Sequence, residues 1–118
     1  MRPDEGDLAY VWDMRTAARE IGQFVAALDF DAFLTDTIVR RAVERNLEII
    51  GQAAGSVSQE VREEHPELPW AAIIAQHNVL AHQYGDIDFV RIWRVATIDV
   101  PELARVLDTL VGMPPSGE

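Results

Sequence analysis

Apolar side chains recur along this chain at the three-to-four spacing of an amphipathic helix, and no stretch alternates as a strand does. Between residues 8 and 28 they fall at Tyr10, Met14, Ala17, Ile21, Phe24, Val25 and Leu28. The stretch "LDFDAFL" (28–34) breaks the pattern with two aspartates and is expected to form a short turn. Asp36 is placed to cap a second helix, whose face is Val39, Val43, Leu47, Ile50, Ala54 and Val57. A second stripe of Ile38, Ala42, Ile49 and Ala53 widens that face, so this helix is expected to be central and heavily buried.

Ser58 can cap a short third helix that "HPELP" ends, because each proline disfavours a helical residue before it. Pro69 in a first turn would open a fourth helix from Trp70 to about Gln83, closed by Gly85. Asp86 or Asp88 would cap a fifth, with a face of Phe89, Ile92, Trp93, Ala96, Val100, Leu103, Leu107 and Leu110. Pro101 lies inside that run and predicts a kink there. The reading is an all-α, up-and-down bundle of four main helices and one short one. It forms a single domain with its core at about 8–111 and a flexible tail at 112–118.

Composition narrows the class without changing the fold. The 118 residues are 48% hydrophobic, enough for one core and too many for wholesale disorder. Cysteine is absent, which removes disulfides and thiolate metal sites. No apolar run is long enough to span a membrane, and "MRPDEGDL" lacks the design of a signal peptide, so a soluble cytoplasmic protein is expected. Ten basic residues, all arginine, face twenty acids for a net charge of −10. That opposes broad, charge-driven nucleic-acid binding but leaves room for a small cleft lined by arginine.

The candidate chemistry is concentrated in "QHNVLAHQYGD" (76–86). On an ideal helix Asn78 and His82 lie about 40° apart, and His77 and His82 about 140° apart. Asn78 and His82 thus share a face with Ala71 and Ala75, while His77 joins the stripe of Trp70, Ile73, Ile74, Leu80, Ala81 and Tyr84. Spacing alone makes His77 a core histidine. It leaves His82 open between a histidine favoured by the helix C-terminus and a general acid or base. Asn78 could orient His82 across one turn, and Tyr84 could hold its hydroxyl near it. A zinc site is a weak reading, because histidines five apart do not share a face as ligands four apart would. "RRAVERN" (40–46) reads as a structural basic patch with pairs such as Arg41–Glu44 and Arg45–Glu48, and a phosphate or partner contact as its minority role.

Several blocks together resemble a known family. "RNLEIIGQAA" (45–54), "HPELPW" (65–70), "NVLAHQYGDIDFVRIW" (78–93) and "DVPEL" (99–103) are similar, in order and spacing, to HepT-like members of the HEPN-domain proteins. The resemblance runs from about Leu8 to Leu110. It implies a small helical homodimer acting as the toxin of a bacterial toxin–antitoxin pair, with an MntA-like minimal nucleotidyltransferase as antitoxin. It further implies a metal-independent ribonuclease, without cofactor, whose signature is arginine, four residues, histidine, any residue, tyrosine. The antitoxin would silence it by attaching AMP to the motif tyrosine.

Residue by residue, the motif histidine falls on His82, the tyrosine on Tyr84 and the polar residue after the arginine on Asn78. The arginine position holds His77. Arginine is always charged and offers a planar fork to phosphate, whereas histidine is largely neutral near pH 7. Two outcomes follow. A protonated His77 keeps an RNA-cleaving site alive, with the partner copy's motif opposite, or the dimer is a degenerate one that only binds a nucleotidyltransferase. A third, weaker reading is a substrate-binding subunit for a nucleotidyltransferase with another target.

Overall fold

The predicted stripes close into helices, and every regular element among the described residues is helical. The computed structural model describes residues 5–75 and 89–111. Two long helices, α1 (Glu5–Val25) and α3 (Thr37–Ser56), lie against each other, and α7 (Val100–Leu110) packs along α1. The shorter elements are α2 (Phe30–Thr35), α4 (Gln59–Glu64), α5 over residues 70–75, and α6 (Phe89–Arg94).

The core sits in the seam these helices share. Val11, Met14 and Ile21 of α1, Val43 of α3 and Leu107 of α7 are fully enclosed. Each such side chain contributes roughly 1.5–3 kcal/mol by leaving water. Position 10 differs from expectation: Val11 and Ala18 complete the α1 face, and Tyr10 is 39% exposed. The second stripe on α3 also divides. Ala53 is buried and Ala42 and Ile49 are half-buried, but Ile38, in the first turn of α3, is 82% exposed.

The expected turn at 28–34 is instead α2. Asp29 accepts a hydrogen bond from the Ala32 amide at 2.8 Å and so caps a helix where its charge suggested a break. Phe33 is fully buried, its ring 5.1 Å from that of Trp93, and this contact holds the short helix in place. The described bundle therefore has two short capped helices, α2 and α4, where one was expected. Asp36 and Ser58 cap α3 and α4 as the sequence suggested, accepting from the amides of Val39 and Val61. Pro69 stands just ahead of α5, and its carbonyl accepts from the Ile73 amide at 3.0 Å.

The break near Pro101 is a π-helical turn over Val95–Asp99, closed by the Val100 amide donating to the Val95 carbonyl. Proline has no amide hydrogen to continue the α-helical ladder, and a wide turn before it accommodates the lost bond. The apolar face crosses that turn intact, with Ile92, Ala96, Val100, Leu103, Leu107 and Leu110 all buried.

Polar side chains pin the helices in register. Asp7, itself buried, accepts from the Ser58 amide at 2.7 Å and from Ser58 Oγ at 2.8 Å, tying the start of α1 to the cap of α4. Asn46 donates through Nδ2 to the Ala17 carbonyl and to Glu20 Oε1 across the α1–α3 seam. Asp108 of α7 takes Arg15 and Arg19 of α1, and Arg15 also lies over the Trp12 ring at 4.7 Å.

Burial pushes the Asp108 carboxyl up, but the hydrogen bonds and charges of Arg15 and Arg19 outweigh it and hold the group below its ordinary value. A carboxylate depressed in the folded state adds stability above its unfolded pKa, about 3.9, and loses it as pH falls through the folded value. Asp108→Asn is expected to cost about 1–3 kcal/mol near pH 7, leaving the Arg15 charge poorly compensated. In urea denaturation the gap between the two proteins should shrink below about pH 4; a gap independent of pH would contradict this account.

Candidate functional site

The four site residues read from the sequence, His77, Asn78, His82 and Tyr84, lie outside the described residues. So do Gly85, the proposed caps Asp86 and Asp88, and the tail at 112–118. What the structure describes is how the chain enters and leaves that stretch.

The entrance is anchored. Leu68 and Trp70 are buried, and Trp70 Nε1 donates to the His65 carbonyl at 2.9 Å. That bond satisfies the indole while its rings join the core, so the start of α5 is fixed on both its polar and apolar sides. His65 meets Glu67, Nδ1 to Oε2 at 3.3 Å. Among the described residues no group of three or more histidines and carboxylates is arranged to hold a metal ion.

The exit is α6. Trp93 packs on Phe33 and Phe30, and Phe89 lies beneath the Arg40 guanidinium, 4.5 Å from carbon to ring centre. The basic patch of α3 is therefore not one unit. Arg45 reaches Glu48 only loosely, at 3.9 Å. Arg40 and Arg41 both lower the Glu44 carboxyl, although burial is the larger influence and raises it overall.

An apolar cavity of about 400 Å³ opens between α3, α5 and the π-turn, lined by Leu47, Ile50, Leu68, Ile73, Val95 and Leu103 among others. Among the described residues its polar lining is carboxylate: Glu67, Asp99 and Glu102. Glu102 is held below its ordinary value by its hydrogen bond to Arg105, and Glu67 by a backbone hydrogen bond. Carboxylates kept ionised beside an apolar surface repel phosphate, so this cavity does not suit a nucleic-acid backbone. Sequence periodicity gave no sign of it, because its walls come from segments far apart in the chain.

With that geometry established, comparison with known proteins decides the class. The family described as ribonuclease HepT-like matches residues 14–110. This chain belongs to that family. Similar proteins include "Putative RNase MJ1380" of Methanocaldococcus jannaschii, 31% identical over 100 residues, covering 85% of this chain and 92% of that one. "Probable ribonuclease HepT" of Thermococcus cleftensis is 33% identical over 101 residues, with 86% and 92% covered. "Putative RNase TTE0752" of Caldanaerobacter subterraneus subsp. tengcongensis is 35% identical over 81 residues, with 69% and 72% covered. No solved structure matches the chain significantly. The HepT-like match spans α5 and α6, the helices before and after the motif stretch in the chain.

If the Trp70 indole anchors the entrance to that stretch, removing its donor alone should be felt. Trp70→Phe keeps an aromatic ring in the core but leaves the His65 carbonyl unpaired, and is expected to cost about 0.5–1.5 kcal/mol in chemical denaturation. An unchanged midpoint would show that the bond holds nothing.

Proposed function

We propose that this HepT-like protein is a metal-independent endoribonuclease, a homodimeric toxin whose paired motifs form one cleft. The observation that carries this reading is the motif itself, His82 and Tyr84 at the family spacing within a chain that matches the family over residues 14–110. Three relatives carry ribonuclease names.

RNA cleavage without a metal has three demands. The 2′-hydroxyl must lose its proton so that its oxygen can attack the adjacent phosphorus. Negative charge on the five-coordinate phosphorus must be stabilised, and the departing 5′-oxygen must gain a proton. His82 is assigned the proton transfers, since histidine titrates nearest neutral pH. Asn78 orients it. His77 stands in the phosphate-binding place and acts as a cation when protonated. Exchanging a permanent guanidinium for this group costs on the order of 100-fold in rate, the scale of losing one transition-state donor.

A second reading is favoured by one observation, the histidine at position 77. In it the dimer has lost cleavage and serves as the binding partner of a minimal nucleotidyltransferase. Tyr84 belongs to both readings as the acceptor of AMP from that antitoxin.

Purified protein incubated with RNA in chelator should release fragments ending in 2′,3′-cyclic phosphate, and His82→Ala should abolish them. His77→Arg should raise the rate about 100-fold and flatten its rise toward acid pH. Cleavage that appears only in His77→Arg would instead establish the degenerate dimer.

Co-expression with a nucleotidyltransferase encoded beside the gene is expected to add AMP units to Tyr84, seen as mass increments on the peptide that contains it. A Tyr84 left unmodified under those conditions would remove the silencing mechanism.

A further inference from the structure

We propose that Arg40 is a phosphate-binding residue for RNA, a backbone contact on α3 separate from the position-77 charge; the inference rests on the ribonuclease reading above. The chain carries ten basic side chains, and at least five of them meet a carboxylate or a carbonyl. Arg15 and Arg19 hold Asp108, Arg105 holds Glu102, Arg62 donates to the carbonyls of Val57 and Gly55, and Arg45 approaches Glu48. Arg40 is used differently. No carboxylate among the described residues lies within ion-pair distance of it, although its charge is felt by Glu44 one turn along α3.

Its geometry is that of a presented fork. The Arg40 guanidinium carbon lies over the Phe89 ring, 4.5 Å from its centre, and Nη2 donates to Thr37 Oγ1 at 3.1 Å. Nε is buried without a hydrogen-bond partner. Stacking occupies the face of a guanidinium, whereas its hydrogen-bond donors lie in its plane. The remaining hydrogens on the terminal nitrogens are therefore left for an acceptor that none of the described residues provides. The ring and the threonine hold the side chain in place, which lowers the entropy lost when it binds.

The acceptor class follows from charge and location. A planar, permanently charged fork matches the oxygens of a phosphodiester. Phe89 follows Tyr84 by five residues, so chain length alone keeps their Cα atoms within roughly 18 Å. That is a distance that a few nucleotides of single strand cover. In a chain of net charge −10, an arginine with donors to spare, on a ring five residues along the chain from the motif tyrosine, is a positive group of the kind RNA would need.

The test is binding of a short 2′-O-methyl RNA strand, which cannot be cleaved, by fluorescence anisotropy over a range of salt. Arg40→Gln should bind about tenfold more weakly, and its log–log salt slope should be shallower by about 0.7, the value of one phosphate contact to a single strand. Arg40→Lys should keep the slope while losing part of the affinity. Arg105→Gln, the same charge change on exposed α7, should leave both unchanged. If Arg40→Gln lowers the melting temperature, Arg40→Met, which keeps the stem against Phe89, is read in its place. Binding with an unchanged slope in the neutral variants overturns the inference, as does an equal loss in Arg105→Gln. Absence of RNA binding by both the native chain and His77→Arg overturns the ribonuclease reading and this inference with it.

Discussion

The described structure depends on a single apolar seam, the line of Val11, Met14, Ala18 and Ile21 along α1. Both α3 and α7 bury their own faces against α1, so α1 serves as the common wall of the core. Burial of this kind is non-directional and would tolerate helices sliding along one another. Direction comes from the polar contacts at its edges: Asp108 to two arginines, Asn46 to a carbonyl and a carboxylate, Asp7 to the cap of α4. Each joins groups that would be costly to leave unpaired, and each has one register in which it is satisfied. The seam supplies the stability and these contacts choose the alignment.

Much of this was legible in the sequence, because helical periodicity is a local property. The faces of α3 and of α6 through α7 were readable residue by residue, as were the caps at Asp36 and Ser58. Where the reading missed, the deciding contact lay elsewhere in the chain. Aspartates at 29 and 31 looked like breakers until Phe33 met Trp93, a residue no local window contains. Ile38 looked buried because its spacing fits the stripe, but spacing does not reveal what covers each turn.

The site divides in the same way. The motif is linear, so His77, Asn78, His82 and Tyr84 could be named from the family resemblance in the sequence, and all four lie outside the described residues. The stacking of Arg40 on Phe89 is a tertiary fact, and before the fold was known Arg40 was one arginine of a patch. The acidic character of the chain also became more specific. Carboxylates line an apolar cavity at one place, while the Arg40 guanidinium lies at another without a carboxylate partner among the described residues, on the helix that meets the exit from the motif stretch. A phosphate backbone meeting this surface would be drawn to the second and repelled by the first.

The π-turn at Val95–Asp99 has a consequence for how these regions are joined. It sets the phase angle between two helices that are otherwise one continuous rod. A π-turn advances about 80° per residue where an α-helix advances about 100°, so it takes up one extra residue while keeping α6 and α7 in phase; tightening it to α-helix with all its residues retained would swing α7 by about 100° relative to α6. Either Leu103, Leu107 and Leu110 would leave α1, or Phe89 and Trp93 would leave Arg40 and Phe33. The irregular turn thus acts as a rotational setting, and the aim of the arginine fork is tied through it to how α7 seats on α1.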